Sequence, residues 1–258
     1  MPSDPAATGA LDADFPDHFS GHAADYAKAR PTYPAELFAH LASIVPACGL
    51  AWDVGAGSGQ SACALAEHMQ RVVATDASAE QLAAARPHPR VTYLEARAEG
   101  SPLDDASVDL VTVAQALHWF DIDAFHAEVR RVARPGAILA EWSYDLMTVE
   151  PAVDAVVRHL YRAVVGSYWP PERIHVEDGY AKLAFPFERV ETSEFAMELE
   201  WTLEQLLAYL GTWSSVRRFI DARGEDPVAA LRPEFDAAWG LDERRLVCWP
   251  LALRVGRV

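Results

Sequence analysis

Apolar residues in the first half of the chain fall into short runs separated by stretches with helical spacing. Between the runs, apolar positions recur every three to four residues in Ser61–Met69, Ala79–Ala85 and Ile122–Ala133. Alternating strands and helices are typical of a parallel sheet with helices on its faces. The runs are rich in Val, Ile, Leu and Trp, and they predict five strands: Ala51–Val54, Arg71–Asp76, Val91–Glu95, Val108–Ala114 and Ala137–Ser143.

The second half of the chain departs from this alternation. Ala152–Val165 has the pattern of a helix, and the proline-containing segment Ser167–Pro171 ends it. Phe187–Leu199 alternates like a strand. Two amphipathic helices and a last apolar strand follow, at Trp201–Ala222, Asp226–Trp239 and Arg244–Val255. We therefore expect helical insertions around two more strands.

Composition places the chain among globular proteins and excludes some partners. With 51% hydrophobic and 23% charged residues, its composition is that of an ordinary globular protein. Its length of 258 residues fits one elaborated domain. The formal net charge of -16 would repel a polyanion, so nucleic acid is not an expected partner. The nine histidines form no H-E-x-x-H motif or close ligand cluster, and we expect no metal.

The cysteines and the first residues bear on location. Cys48, Cys63 and Cys248 are too few and too scattered for a disulfide framework, which fits a reducing compartment. The chain starts with an acidic segment without an apolar leader, and no stretch approaches 18 uninterrupted apolar residues. These features predict a cytoplasmic protein that does not enter membranes.

A glycine-rich segment carries the strongest sequence signal for a ligand. Asp53–Gln60 (DVGAGSGQ) leaves a buried strand and enters a helix. Its glycines permit a tight turn and a close ligand, while the helix start offers free amides. The next strand ends in Asp76, 21 positions after Gly55, where nucleotide-binding α/β folds hold a ribose diol. The spacing predicts a nucleotide-type cofactor.

The frame of the glycines distinguishes between cofactors. A dinucleotide fingerprint, G-x-G-x-x-G, requires glycine where this chain has Gln60, and Gly59 arrives one place early. An NAD-dependent oxidoreductase stays open as an alternative. A phosphate loop needs G-K-[ST], and a hydrolase elbow needs G-x-S-x-G, for which Ser58 lies in the wrong frame.

Asp53 followed by Gly55, Gly57 and Gly59 resembles the first motif of the class I S-adenosylmethionine-dependent methyltransferases. The resemblance spans about Phe15 to Val258. The resemblance continues at Asp76, Ala98-Glu99 and Asp109–Val111. Three further segments are similar to the branch that includes trans-aconitate methyltransferases: Tyr26–Pro34 (YAKARPTYP), Gln115–Phe120 (QALHWF) and Trp201–Phe219.

The resemblance implies a Rossmann-like α/β fold in one domain, residues 1–258. The expected sheet has seven strands, mostly parallel, with the last strand antiparallel and helices on both faces. Around it we expect a mobile tail (1–15), an N-terminal cap (16–45), a cofactor-binding core (46–145), helical lid insertions (146–186 and 199–242) and final strands (187–198 and 243–258).

The same resemblance implies S-adenosylmethionine as cofactor and S-adenosylhomocysteine as product. Arg97 stands where many relatives have the Asp that binds the adenine amino group, so the adenine contact departs from the family pattern. The implied contacts are Gly55, Ala56, Gly57 and Gly59 in the loop around the methionine portion, Asp53 near its ammonium, Asp76 on the ribose hydroxyls, Ala98 and Glu99 beside the adenine, and Gln115 at the methionine end.

The methyl acceptor is expected near the end of the fourth strand. His118 lies just past it and is the candidate base or substrate contact, with simple packing as the alternative. Arginine forks suit carboxylates, although an exposed arginine can also be a solvated surface charge. The other candidate pocket residues are Trp119, Arg30 and Tyr33 of the cap, and Trp213 and Arg217 of the lid.

These features predict in-line methyl transfer to a small molecule, with a carboxylic acid as the first candidate. A non-catalytic module that binds S-adenosylmethionine or its product stays open beside the oxidoreductase.

Overall fold

A twisted sheet forms the centre of the computed structural model, which describes residues 31–258. The described strands are β1 (Leu50–Val54), β2 (Arg71–Asp76), β3 (Val91–Glu95), β4 (Val108–Ala114), β5 (Ala133–Ser143), β6 (Glu188–Arg189), β7 (Ala196–Trp201), β8 (Arg245–Pro250) and β9 (Ala252–Arg257).

The described helices surround this sheet and build most of the second half. They are α1 (Ala35–Ile44), α2 (Gln60–Leu65), α3 (Ala79–Ala83), α4 (Ile122–Val132), α5 (Pro151–His159), α6 (Arg173–Glu177), α7 (Leu203–Gly211), α8 (Ser214–Arg223), α9 (Pro227–Ala230) and α10 (Arg232–Trp239). Short 3-10 turns cover Leu117–Trp119 and Gly166–Tyr168, and a π turn extends α5 over Leu160–Val164.

The main sheet has seven strands in the order β3-β2-β1-β4-β5-β9-β6. β1 to β5 run parallel, and β9 is antiparallel to both β5 and β6. Every residue of β1 is buried, as expected of a strand covered on both faces. The predicted Rossmann-like fold with an antiparallel last strand is confirmed.

The two predicted final strand segments, 187–198 and 243–258, each contribute to two sheets. β7 pairs with β8 in a separate two-stranded sheet, while β6 and β9 join the main one. The change of sheet falls between Pro250 and Ala252, where the Leu251 amide donates to the Phe195 carbonyl at 2.9 Å. Proline has no amide hydrogen to continue the ladder, so β8 ends there.

The helix predicted for Trp201–Ala222 is wrong as one continuous element. Trp201 is the last residue of β7, and the remainder forms α7 and α8. Trp213 has extended backbone with ψ 134°, and the Thr212 hydroxyl donates to the Tyr209 carbonyl at 2.7 Å. This hydroxyl bond competes with the helical pattern, so the chain turns at this point.

A buried charge network joins β5 to β9. Arg254 donates to Glu141 Oε2 through Nη2 at 2.6 Å and through Nε at 3.1 Å. Its Nη1 donates to the carbonyls of Tyr180 and Leu183 at 2.6 and 2.9 Å. The other oxygen, Glu141 Oε1, lies 3.3 Å from His126 Nε2. Every polar atom of both side chains therefore has a partner, which offsets the cost of burying the charges.

Candidate functional site

A cavity of about 710 Å3 lies at the carboxyl edge of the parallel strands. Open α/β sheets bind ligands at this edge, and the volume is that of a small-molecule site. All nine predicted cofactor-binding residues and two of the predicted pocket residues line it: Asp53, Gly55, Ala56, Gly57, Gly59, Asp76, Ala98, Glu99, Gln115, Tyr33 and Trp119.

The glycine loop after β1 lies too close to its neighbours for side chains. Gly55 has φ +66°, and a Cβ there would lie 2.5 Å from the Cβ of Ala116. Gly59 has φ +78°, and its Cβ would lie 2.1 Å from the Tyr93 hydroxyl. Only glycine combines this conformation with such close packing, so the loop can form one wall of the cavity.

Asp53, in β1, provides a buried carboxylate with an unused oxygen. Oδ1 accepts a hydrogen bond from the Thr112 hydroxyl at 2.7 Å, whereas Oδ2 accepts no hydrogen bond of normal geometry from the described residues. Burial raises the pKa of Asp53 to about 7, and the Thr112 hydroxyl and the Ala62 backbone oppose this shift. A buried acceptor beside a ligand cavity suits a cationic group such as an ammonium.

Asp76, the last residue of β2, has an orientation fixed by backbone amides. Its Oδ2 accepts from Gly57 N at 2.8 Å, and its Oδ1 accepts from Ser78 N at 2.9 Å. Ser78 in turn caps α3 by accepting from the Gln81 amide at 3.3 Å. The carboxylate thus belongs both to the glycine loop and to a helix start, and it lines the cavity where hydroxyl groups could donate to it.

The loop after β3 contributes a buried alanine and a charged pair. Ala98 is buried, and its neighbour Glu99 accepts from the Asp121 amide through Oε1 at 2.9 Å. Arg97 Nε lies 3.3 Å from Glu99 Oε2 and is more than half exposed. Arginine offers only donors, so the carboxylate of Glu99 supplies acceptors at this wall.

Gln115 connects the ends of β4 and β5. Its Nε2 donates to the Tyr144 carbonyl at 2.8 Å, and its Oε1 accepts from the Tyr144 amide at 3.3 Å. Its backbone has φ +57°, a conformation that costs about 1–3 kcal/mol outside glycine. Such strain persists where the surroundings fix it, and here it is held against the cavity.

Aromatic side chains also line the cavity. Tyr33 packs edge-on against Tyr144 at 6.3 Å, and Phe38 reaches the site from α1. Phe120 and Trp119 complete this group from the loop after β4. We did not predict Phe38, for which the sequence gives no local signal. Tyr144 directly follows β5, and the carboxyl-edge rule would have placed it at the site.

His118 lies outside the cavity lining. Its Nδ1 is 3.2 Å from the Tyr180 hydroxyl. Burial lowers the pKa of His118 to about 3, and the nearby charges of Arg173 and His175 act in the same direction. This is the packed arrangement considered as the alternative. The predicted role as base or substrate contact stays a prediction that this position does not support.

The remaining predicted pocket residues are not brought together. Trp213 is buried, with its ring 5.7 Å from Tyr161 and 5.6 Å from Trp169. Arg217 is exposed and lines a separate groove of about 770 Å3 between α7, α8 and α9. Arg30 lies outside the described residues.

Within residues 31–258, no group of three or more His, Cys, Asp or Glu side chains is placed to hold a metal ion. Nor does that part of the chain contain a helix long and apolar enough to cross a membrane.

The chain is similar in sequence and in structure to known methyltransferases. A sequence profile of a methyltransferase domain matches residues 52–140. A Dictyostelium discoideum protein classed as a methyltransferase is 33% identical over 222 residues, covering 84% of each chain. A solved structure from Anaeromyxobacter dehalogenans, assigned as a type II methyltransferase, is 50% identical, with a TM-score of 0.83, and covers 88% of this chain and 97% of its own. At 18% identity, a structure from Anabaena variabilis has a TM-score of 0.53 over 86% of this chain and 98% of its own, a likeness of fold alone.

Proposed function

The chain belongs to the class I S-adenosylmethionine-dependent methyltransferases, and we propose that its methyl acceptor is a small molecule, with carboxylic acids as the first class. Membership of this family decides against the two alternatives that the sequence left open, an NAD-dependent oxidoreductase and a non-catalytic binding module. When bound, S-adenosylmethionine supplies an electrophilic methyl group, so the protein must align the acceptor and exclude water.

The proposed cofactor contacts follow the cavity wall. Asp53 Oδ2 pairs with the ammonium of the methionine portion, because it is a buried acceptor that receives no hydrogen bond of normal geometry within residues 31–258. Asp76 accepts from the ribose hydroxyls, and Gly55 to Gly59 lie against the methionine portion. Gln115 stands at the end of this portion, beside the aromatic group.

The aromatic part of the cavity lining is the observation that carries the acceptor proposal. Tyr33, Phe38, Trp119, Phe120 and Tyr144 contribute uncharged aromatic side chains to the cavity wall. The volume of about 710 Å3 is in the range of small-molecule sites, about 300–1,000 Å3. A small organic acceptor therefore suits it better than a macromolecule, and the net charge of -16 argues against nucleic acid.

The carboxylic acid class rests on proton balance and on the trans-aconitate resemblance. A carboxylate is already ionised near pH 7 and needs no base. This agrees with the position of His118, which lies against Tyr180. We further propose that Arg30, in the cap segment, pairs with an acceptor carboxylate. We also propose that the enzyme acts in the cytoplasm and has no membrane partner.

The test is an acceptor screen on the full chain. Small carboxylic acids, phenols, amines and duplex DNA are each incubated with S-adenosylmethionine, and mass spectrometry detects the methylated product. We expect methyl esters of one or more acids. Arg30→Ala should lower kcat/KM for the acid about tenfold or more, without changing affinity for S-adenosylhomocysteine, and His118→Ala should leave kcat near wild type. If the enzyme methylated only phenols and His118→Ala abolished this activity, the carboxylic acid class would be overturned. His118 would then be the catalytic base.

A further inference from the structure

Tyr180 is a fully buried residue whose backbone has a left-handed conformation. Its φ is +64°, and the preceding Gly179 also has a positive φ, +61°. Such a conformation is costly for a tyrosine and persists only where the surrounding structure fixes it. A Cβ on Gly179 would lie 2.7 Å from the Cβ of Ala252, so the Gly179-Tyr180 turn packs directly against β9.

Two backbone hydrogen bonds hold this turn in place. The Tyr180 amide donates to the carbonyl of His175, in α6, at 2.8 Å. The Tyr180 carbonyl accepts from Arg254 Nη1, in β9, at 2.6 Å. Arg254 is itself bound to Glu141 in the buried charge network. The position of Tyr180 is therefore set by both α6 and β9.

The hydroxyl of this fixed tyrosine lies 3.2 Å from His118 Nδ1. The two rings stack, with centroids 6.1 Å apart and an angle of 29° between their planes. Burial raises the pKa of Tyr180, against the opposing effect of the Leu117 backbone, and burial lowers the pKa of His118 to about 3. Near neutral pH the phenol is therefore protonated and the imidazole is uncharged, so the phenol can donate to Nδ1.

The His118 ring in turn packs against the ring of Trp119. Their centroids are 4.7 Å apart, and their planes are inclined by 44°. Both residues belong to the short 3-10 turn Leu117–Trp119, and Trp119 lines the cavity. Because side chains move between discrete rotamers, a fixed His118 ring limits the rotamers that remain open to Trp119.

We propose that Tyr180 is a positioning residue: its hydroxyl holds His118, and through His118 it holds Trp119 in the part of the cavity wall that contacts the acceptor. This role accounts for a tyrosine after Gly179, since a glycine would adopt φ +64° without strain but has no hydroxyl to offer. The contact with the acceptor rests on the proposed function, whereas the hold on Trp119 does not.

The experiment is fluorine nuclear magnetic resonance of the full chain labelled with 5-fluorotryptophan. The eight tryptophans supply one signal each, and Trp119→Phe identifies the signal of Trp119. Tyr180→Phe keeps the buried ring and removes only the hydroxyl. In this variant we expect the Trp119 signal to shift or split by more than its linewidth, because the side chain gains further orientations. The signal of Trp239, which packs in a different apolar cluster from Tyr180, should not move.

Kinetics measure the consequence for the acceptor that the screen above identifies. Tyr180→Phe should raise the KM for this acceptor about fivefold, the factor that one ordinary hydrogen bond contributes. Its kcat and its affinity for S-adenosylhomocysteine should stay near wild type. His118→Ala should raise the same KM by a similar factor. Combining the two changes should add little, because both break the same contact.

Tyr161→Phe is the matched control. Tyr161 is also a buried tyrosine, but its hydroxyl donates to Glu177 Oε1 at 2.6 Å. This variant should leave the Trp119 signal and the KM at their wild-type values.

Three results would overturn the proposal: an unchanged Trp119 signal in Tyr180→Phe, an unchanged KM for the acceptor, or a joint movement of most tryptophan signals, which would mean a general structural role. If the screen found no small-molecule acceptor, the proposed function would fail separately. The Trp119 signal would still decide whether Tyr180 holds this side chain.

Discussion

The buried negative charge of Asp53 lowers the stability of the ligand-free protein. Burial raises the pKa of its carboxyl from 3.8 to about 7, so between those values the folded protein binds more protons than the unfolded chain. Stability contributed by this group is therefore present at low pH and lost as pH rises through about 7. We expect Asp53→Asn to raise the melting temperature of the ligand-free protein by a few degrees at pH 8 and by much less at pH 5.

The same variant should bind the cofactor poorly, because a neutral amide cannot replace the carboxylate that we propose pairs with the ammonium. Affinity for S-adenosylhomocysteine at pH 8 should fall about tenfold or more by calorimetry. The wild-type affinity should itself decline as pH falls below 7 and Asp53 becomes protonated. An Asp53→Asn protein that melted earlier at pH 8 and bound the ligand normally would contradict this account.

Of the two predicted sets, the cofactor residues all line the cavity, whereas most of the described acceptor residues do not. Asp53, the glycines and Asp76 all follow from one rule, since parallel strands end at a common edge. His118 shows where this rule stops. It follows β4 closely, but the 3-10 turn Leu117–Trp119 leaves Trp119 at the cavity and His118 at Tyr180. Side-chain direction in a turn depends on tertiary packing that spacing does not contain.

Among the elements, the contact of β5 with β9 offers the sharpest stability test. Arg254 and Glu141 face each other in register and are both buried. Arg254→Leu would leave Glu141 charged without its main partner, and removing one side of a buried pair costs about 3–5 kcal/mol. We expect that loss in the free energy of unfolding, measured by urea titration at pH 7.

The matched control is the double variant Glu141→Leu with Arg254→Leu. Removing both charges avoids the unpaired carboxylate, so the double variant should recover much of the loss. If it were less stable than Arg254→Leu alone, the ion pair would not be the cause, and the carbonyl contacts to Tyr180 and Leu183 would be the explanation.

The parallel core was predictable at the scale of elements, and the second half was less so. β2, β3 and β4 have the predicted bounds because each is an apolar run between clear turns. An apolar run does not say which sheet it joins, and 243–258 supplies both β8 and β9. Likewise, helical spacing continues through Thr212 and Trp213, although the helix breaks there and Trp213 is buried.

At the scale of the molecule, the formal net charge of -16 should make the salt dependence of kcat/KM differ between acceptors of different charge. A negatively charged protein repels an anion at long range, and salt screens that repulsion over about 10 Å at 0.1 M. For a carboxylate acceptor, kcat/KM should therefore rise as NaCl increases from 10 to about 200 mM. For a neutral acceptor it should stay level, and for a cation it should fall. Initial rates at subsaturating acceptor and saturating S-adenosylmethionine give this slope. A fall for a carboxylate acceptor would mean that local cations such as Arg86 and Arg97, which line the cavity, outweigh the total charge at its entrance.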